Sequence, residues 1–279
     1  MTGEPERQDD PARDAASLRP WWTGPRLAAG LALLVFGLAG LAALAWLASG
    51  ANLAFGNFLA DGSAPALPAM APAPPSVHET APLTAGTSRP QPDPVWVSRV
   101  AGATAIPARA LMAYAHASLL LAVEQPACRV GWNTLAGLGW IESEHGAHGG
   151  NHLLGDGLPA TPIVGPALDG RSGLSAIRAT PYSIALDDDH TWAHAIGPMQ
   201  FIPSTWQRWA SDGNGDGRSD PNNIDDAAYA AARYLCASGG DLTTGEGWQR
   251  AIHSYNRSDE YTAAVLDAAN QYALASGNR

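Results

Sequence analysis

The stretch NTLAGLGWIESEHG, residues 133–146, decides the fold. Its apolar residues recur at helical spacing, with Asn133 or Thr134 placed to cap the start and Gly146 to close the end. At about 100° per residue, Glu142 falls roughly 20° from Leu135, on the apolar face, while Glu144 points about 180° away from Leu135. One carboxylate faces in and the other out. An acid on the buried stripe, near the helix C-terminus where the dipole disfavours an anion, keeps its proton to higher pH than usual. Such a group is suited to give up a proton near neutral pH. On helix geometry alone, a buried acid neutralised by an arginine fits equally well.

Outward from this helix, the C-terminal two thirds reads as mostly α. Pro107 opens a helix through Leu121, and further helices are expected at 203–210, 225–237, 246–255 and 259–274. No stretch alternates as a strand would. Between Ala147 and Thr191 lies a Gly- and Pro-rich segment with little periodicity, long enough to wall a cleft. His145, His148, His152, His190 and His194 fit no familiar zinc ligand spacing and read as solvated loop histidines. Trp132, Trp140, Trp192, Trp206 and Trp209 offer faces for sugar rings, although core packing is the more ordinary use.

The N-terminal third is different. From Leu27 to Ala60 there is no charged side chain. As a helix, residues 27–48 cover roughly 33 Å, the span of a bilayer core. Arg7, Arg13, Arg19 and Arg26 precede the span and the next basic residue is Arg89, which puts residues 1–26 in the cytoplasm and the remainder outside the membrane. A signal peptide cut near Ala48 is the alternative. Residues 49–94 are rich in Pro and Ala, a composition that forms an extended spacer rather than a core. The folded domain is expected over 95–276.

The formal net charge is −10 and no basic cluster occurs, which excludes nucleic acid as a partner. The two cysteines, Cys128 and Cys236, fall in the part placed outside. There they are free to pair, closing a loop worth roughly 4 kcal/mol in the chain-entropy picture; two separately buried thiols are the alternative. Asp212, Asn214 and Asp216, at positions 1, 3 and 5 of a loop with Gly217 at position 6, start an EF-hand-like calcium loop, to which Arg218 would add its carbonyl. Position 12 is Asn223, where a standard loop has a bidentate Glu.

Four separated features occur in a fixed order: the glycine-rich helix ending in Ile141-Glu142-Ser143 and Gly146; TWAHAIGPMQFIPSTW at 191–206; Tyr234, eight residues after Asp226; and SYNRSDEY at 254–261. Together they resemble the lytic murein transglycosylases of the membrane-bound B type, the second SLT domain class, similar to glycoside hydrolase family 103. The resemblance implies a lysozyme-like domain in which Glu142 is the only catalytic carboxylate. It implies that Gln200 binds substrate through its amide, that Thr191 stands where the family tends to have a serine hydroxyl, and that Tyr234, Asn256 and Tyr261 line the sugar site. It makes Asp226 the last carboxylate of a longer calcium loop, with Ca2+ structural and no cofactor needed for catalysis. The implied substrate is the peptidoglycan glycan strand, cut with a 1,6-anhydromuramoyl product by a domain outside the membrane. A hydrolytic muramidase using Asp187, Asp188 or Asp189 to activate water is a rival reading, and a non-catalytic wall-binding module is another.

Overall fold

The computed structural model describes residues 76–77, 89–171 and 174–277. The expected cytoplasmic tail, the span at 27–48 and most of the spacer lie outside them. Among the described residues, no helix is long and apolar enough to cross a membrane.

The described chain is mostly helical. A short strand β1 (Ser76–Val77) pairs antiparallel with β2 (Gln91–Pro92), and helices α1 (Pro94–Thr104), α2 (Ala108–Glu124) and α3 (Trp132–Ser143) follow. The Asp93 carboxylate accepts from the Val95 amide and Pro94 opens α1, whose end is set by Ala105 in the left-handed region. The folded part begins before the expected boundary at 95: Gln91 pairs in β2 and the Arg89 guanidinium donates to the Asp212 carbonyl at 2.9 Å, both within the 49–94 stretch.

Helix α3 starts earlier than expected, with Gly131 as its cap in place of Asn133 or Thr134. Asn133 does not cap it, because its amide donates to the Ala269 carbonyl at 3.1 Å. The helix also stops at Ser143, since Glu144 and His145 both take positive φ. Glu144 therefore faces solvent as the residue closing the helix, not as part of it.

The 147–191 segment is more structured than its composition suggests. It holds β3 (Val164–Ala167) and α4 (Pro181–Asp187), and β3 pairs antiparallel with β4 (His194–Ile196). The pairing is too short and too exposed on β3 to show an alternating pattern in sequence. Next come α5 (Pro203–Trp209), α6 (Ile224–Gly239), α7 (Gly245–Tyr255) and α8 (Asp259–Gly277), close to the expected bounds.

The core lies between α2, α3, α6, α7 and α8 and includes Leu111, Tyr114, Leu135, Leu138, Ile224, Leu235, Ile252 and Val265. Trp132, Trp206 and Trp248 are fully buried. Glycines on α3 set how closely its neighbours approach. A methyl on Gly137 would come 2.9 Å from the Val265 carbonyl oxygen, so only glycine lets α8 lie this near. Cys128 and Cys236 are joined in a disulfide that ties the turn after α2 to α6.

Candidate active site

Glu142 is the penultimate residue of α3 and is partly buried. Burial pushes its carboxyl up to about 7, a shift that the Tyr261 hydroxyl only partly offsets by donating to Oε1. With one oxygen engaged, Oε2 is left for the proton. Tyr261 sits in the first turn of α8, where its amide donates to Ser258 Oγ, so the capping of α8 fixes the hydroxyl that meets the acid.

Tyr255, the last residue of α7, stands close by. Burial and then the charge of Glu142 raise its hydroxyl well above the ordinary value, and that hydroxyl donates to the Met199 carbonyl at 2.8 Å. Its ring stacks edge-on with Phe201 and with Tyr234. The Ser143 hydroxyl donates to the Pro198 carbonyl at 2.7 Å and accepts from the Gly146 amide. The end of the helix is thereby fixed to the 197–201 turn.

Behind Glu142, His145 is 3% exposed, which corrects its reading as a solvated loop histidine. Its ring nitrogens lie 3.2 Å from the Tyr114 hydroxyl and 2.9 Å from the Tyr272 hydroxyl. Burial lowers its pKa to about 3, so it is neutral, with one tyrosine donating to it and the other accepting. Gly139 faces the same group, and a methyl there would run into the Tyr114 hydroxyl. This clamp joins α2 and α8 to the turn that follows the acid.

The sequence-derived binding residues divide. Tyr261 touches Glu142 directly. Gln200 is partly buried, with a backbone φ of 47°, and its amide donates to the Gly197 carbonyl at 2.9 Å. Tyr234 supports from behind: its hydroxyl donates to the Ser254 carbonyl and its ring packs on Tyr255 and Trp209. Thr191 and Asn256 are exposed, and neither side chain hydrogen-bonds to another described residue. The Thr191 amide instead donates to Asp189. Tyr255 and His145 were missed; both sat inside the quoted motifs, but only burial reveals their roles.

The Asp/Gly loop folds on itself. The Asp212 carboxylate accepts from the Gly215 and Gly217 amides, and Asn214 donates to Asp216 at 3.0 Å. Asp226, in the first turn of α6, reaches back to accept from the Gly213 and Asp220 amides, and burial pushes its carboxyl up to about 6 with Asp212 adding to the rise. Arg218 contributes its amide to Asp216. Among the described residues, no three His, Cys, Asp or Glu side chains gather as a group that could hold a metal ion.

Residues 186–253 match the family model described as Transglycosylase SLT domain. Within that stretch the chain is similar to the family. The matched stretch takes in Thr191, Gln200, the Asp/Gly loop and Tyr234, whereas Glu142, Asn256 and Tyr261 lie outside it. No curated protein matches the sequence at a significant level. Solved structures similar to this chain include SltB3 from Pseudomonas aeruginosa in complex with NAG-anhNAM-pentapeptide, at 19% identity and a TM-score of 0.38 over 67% of this chain and 68% of that one. Escherichia coli Slt35 in complex with calcium is similar at 17% identity and a TM-score of 0.40 over 65% and 79%. The catenated SltB1 from Pseudomonas aeruginosa is similar at 16% identity and a TM-score of 0.36 over 91% and 99%.

Proposed function

We propose that this chain is a lytic transglycosylase that cuts the β-1,4 bond between N-acetylmuramic acid and N-acetylglucosamine in peptidoglycan. The supporting observation is Glu142: one carboxyl held near pKa 7 by burial, with Tyr261 donating to one oxygen and no hydrogen bond to the other among the described residues. Glu142 gives its proton to the glycosidic oxygen as the bond to the muramoyl carbon breaks. The carboxylate then takes the proton from the 6-hydroxyl of the same sugar, whose oxygen closes the 1,6-anhydro ring. Glu142 ends protonated, and neither water nor a second carboxylate is consumed.

A hydrolytic muramidase needs a second carboxylate beside the bond. Asp189 is poorly suited, because His194 and the Thr191 and Trp192 amides hold its carboxyl down at about 2, a weak base for water. Digestion of glycan strands followed by mass spectrometry separates the readings. Anhydromuramoyl ends are expected, and reducing ends would defeat the proposal.

On the same reading, residues 27–48 anchor the chain in the cell membrane with residues 1–26 in the cytoplasm, 49–94 are the spacer, and the domain works outside. The arginine placement supports this orientation, and a freely soluble full-length chain would refute it. We also assign the Asp212 loop as an EF-hand-like site for structural Ca2+, using Asp212, Asn214, Asp216, the Arg218 carbonyl and Asp226. The donors are all hard oxygens, and Asp226 is a buried carboxyl whose charge Asp212 opposes, an arrangement a divalent cation would neutralise. A melting temperature indifferent to calcium after chelation would remove this part.

A further inference from the structure

We propose that His194 is a positioning residue for substrate binding: as an imidazolium it ties Gly165 to Asp189 and so keeps Gln200 and the 197–201 turn set against the end of α3. The proposal rests on the transglycosylase reading above.

His194 lies on β4 with its side chain 14% exposed. Its Nδ1 is 2.7 Å from the Gly165 carbonyl oxygen and its Nε2 is 3.1 Å from Asp189 Oδ2. A carbonyl and a carboxylate only accept, so both ring nitrogens must donate, which a neutral imidazole with its single N–H cannot do. The charged groups facing the ring are Asp189, from the loop after α4, and Asp187, from the end of α4; β3 presents only the Gly165 carbonyl. Asp187 has a buried oxygen with no hydrogen-bond partner among the described residues, a charge that the imidazolium offsets. Burial opposes the ring's charge, but the Gly165 carbonyl and the two aspartates outweigh it and leave the pKa raised.

From Gly165 the contacts run to the acid. A methyl on Gly165 would come 2.5 Å from Gln200 Oε1, so the amide of Gln200 rests on this residue. That amide donates to the Gly197 carbonyl, and the Gly197 amide donates to the carbonyl of Ile163, just before β3, at 2.8 Å. The next carbonyl, of Pro198, accepts from Ser143 beside Glu142. A raised pKa means the tie is complete at acid pH and is lost as pH climbs through the folded-state value. A neutral ring then sets a lone pair against one acceptor, and the wall carrying Gln200 slackens.

The test is the split between KM and kcat for soluble glycan strands at pH 5.5 and 8.5. Losing Glu142's proton lowers kcat, whereas losing His194's raises KM. Wild-type KM should rise roughly tenfold between the two pH values, about the worth of one charge-assisted hydrogen bond. His194→Gln should have the raised KM at both, with the kcat profile kept. A variant whose KM follows wild type at both pH values overturns the proposal. Nitrogen-15 NMR of the unmodified protein gives a second reading: both ring nitrogens of His194 should carry protons at pH 6, and a singly protonated ring there overturns it even where the variant does not fold. If the protein cleaves no glycan, the transglycosylase reading fails, and the ring's protonation still decides whether this tie exists.

Discussion

Along the seam where α3 packs on α8 and α2, small residues and buried rings come so close that a single methyl at Gly137, against α8, or at Gly139, against Tyr114 of α2, would not fit. Across the 147–201 wall, by contrast, short strands and turns are held by exposed or half-exposed polar contacts: His194 to Asp189, Arg178 stacked 4.0 Å over Trp192, and Asn151 to Thr161. The seam fixes where the acid sits, through close packing around buried rings. On the proposed reading the wall carries groups that meet the substrate, through contacts that respond to protons and salt. Rigid placement of the reacting group and adjustable placement of the binding groups are thus assigned to different parts of one domain.

Perturbing the seam should cost more than perturbing the wall. The largest effect is expected from acid. His145 takes up a proton at about 3 when folded but near 6.5 when unfolded, so the unfolded chain binds more protons in that window and stability falls as pH drops through it. Urea unfolding between pH 6 and 4 should lose about 1.4 kcal/mol per pH unit from this group. His145→Gln, which cannot titrate, should show a flatter dependence, and equal slopes would show that the ring is not the cause. Next, Gly139→Ala should destabilise by roughly 1–3 kcal/mol, because the methyl must displace the Tyr114 hydroxyl; a melting temperature within error of wild type would break the contrast from the seam side. The smallest effect is expected on the wall: Arg178→Ala removes an exposed cation–π stack and should cost about 0.5–1 kcal/mol in unfolding experiments. A loss larger than that of Gly139→Ala would reverse the comparison.

Much of the seam could be read from sequence, because helical spacing is a local signal. The inward face of Glu142 and the outward face of Glu144 follow from about 100° per residue, and α5 to α8 fall close to the bounds that helical spacing gives, with Asn223 and Thr244 as the caps of α6 and α7 in the structure. Where the reading missed, the deciding interaction was distant in the chain. Asn133 gave up the cap to reach Ala269, and His145 became a core residue only because Tyr114 and Tyr272 close around it. The β3–β4 pair joins residues about thirty apart with no alternation to announce it. Gln200 and Tyr261 were found through resemblance, but the support that Tyr255, Ser143 and His194 give the site exists only in three dimensions.

The central claim is that Glu142 alone supplies the acid and the base, and Glu142→Gln tests it most directly. Cleavage of glycan strands should fall by at least about a thousandfold, in line with loss of a group needed for both proton transfers. The folded variant should also be more stable than wild type at pH 8, by roughly 1–3 kcal/mol, and similar to it at pH 4. Wild-type Glu142 holds its proton to about 7 when folded, against 4.5 for the unfolded chain, so stability is lost as pH rises through that interval and the amide escapes the penalty. Cleavage at wild-type rates by the stable, folded variant would place the chemistry elsewhere.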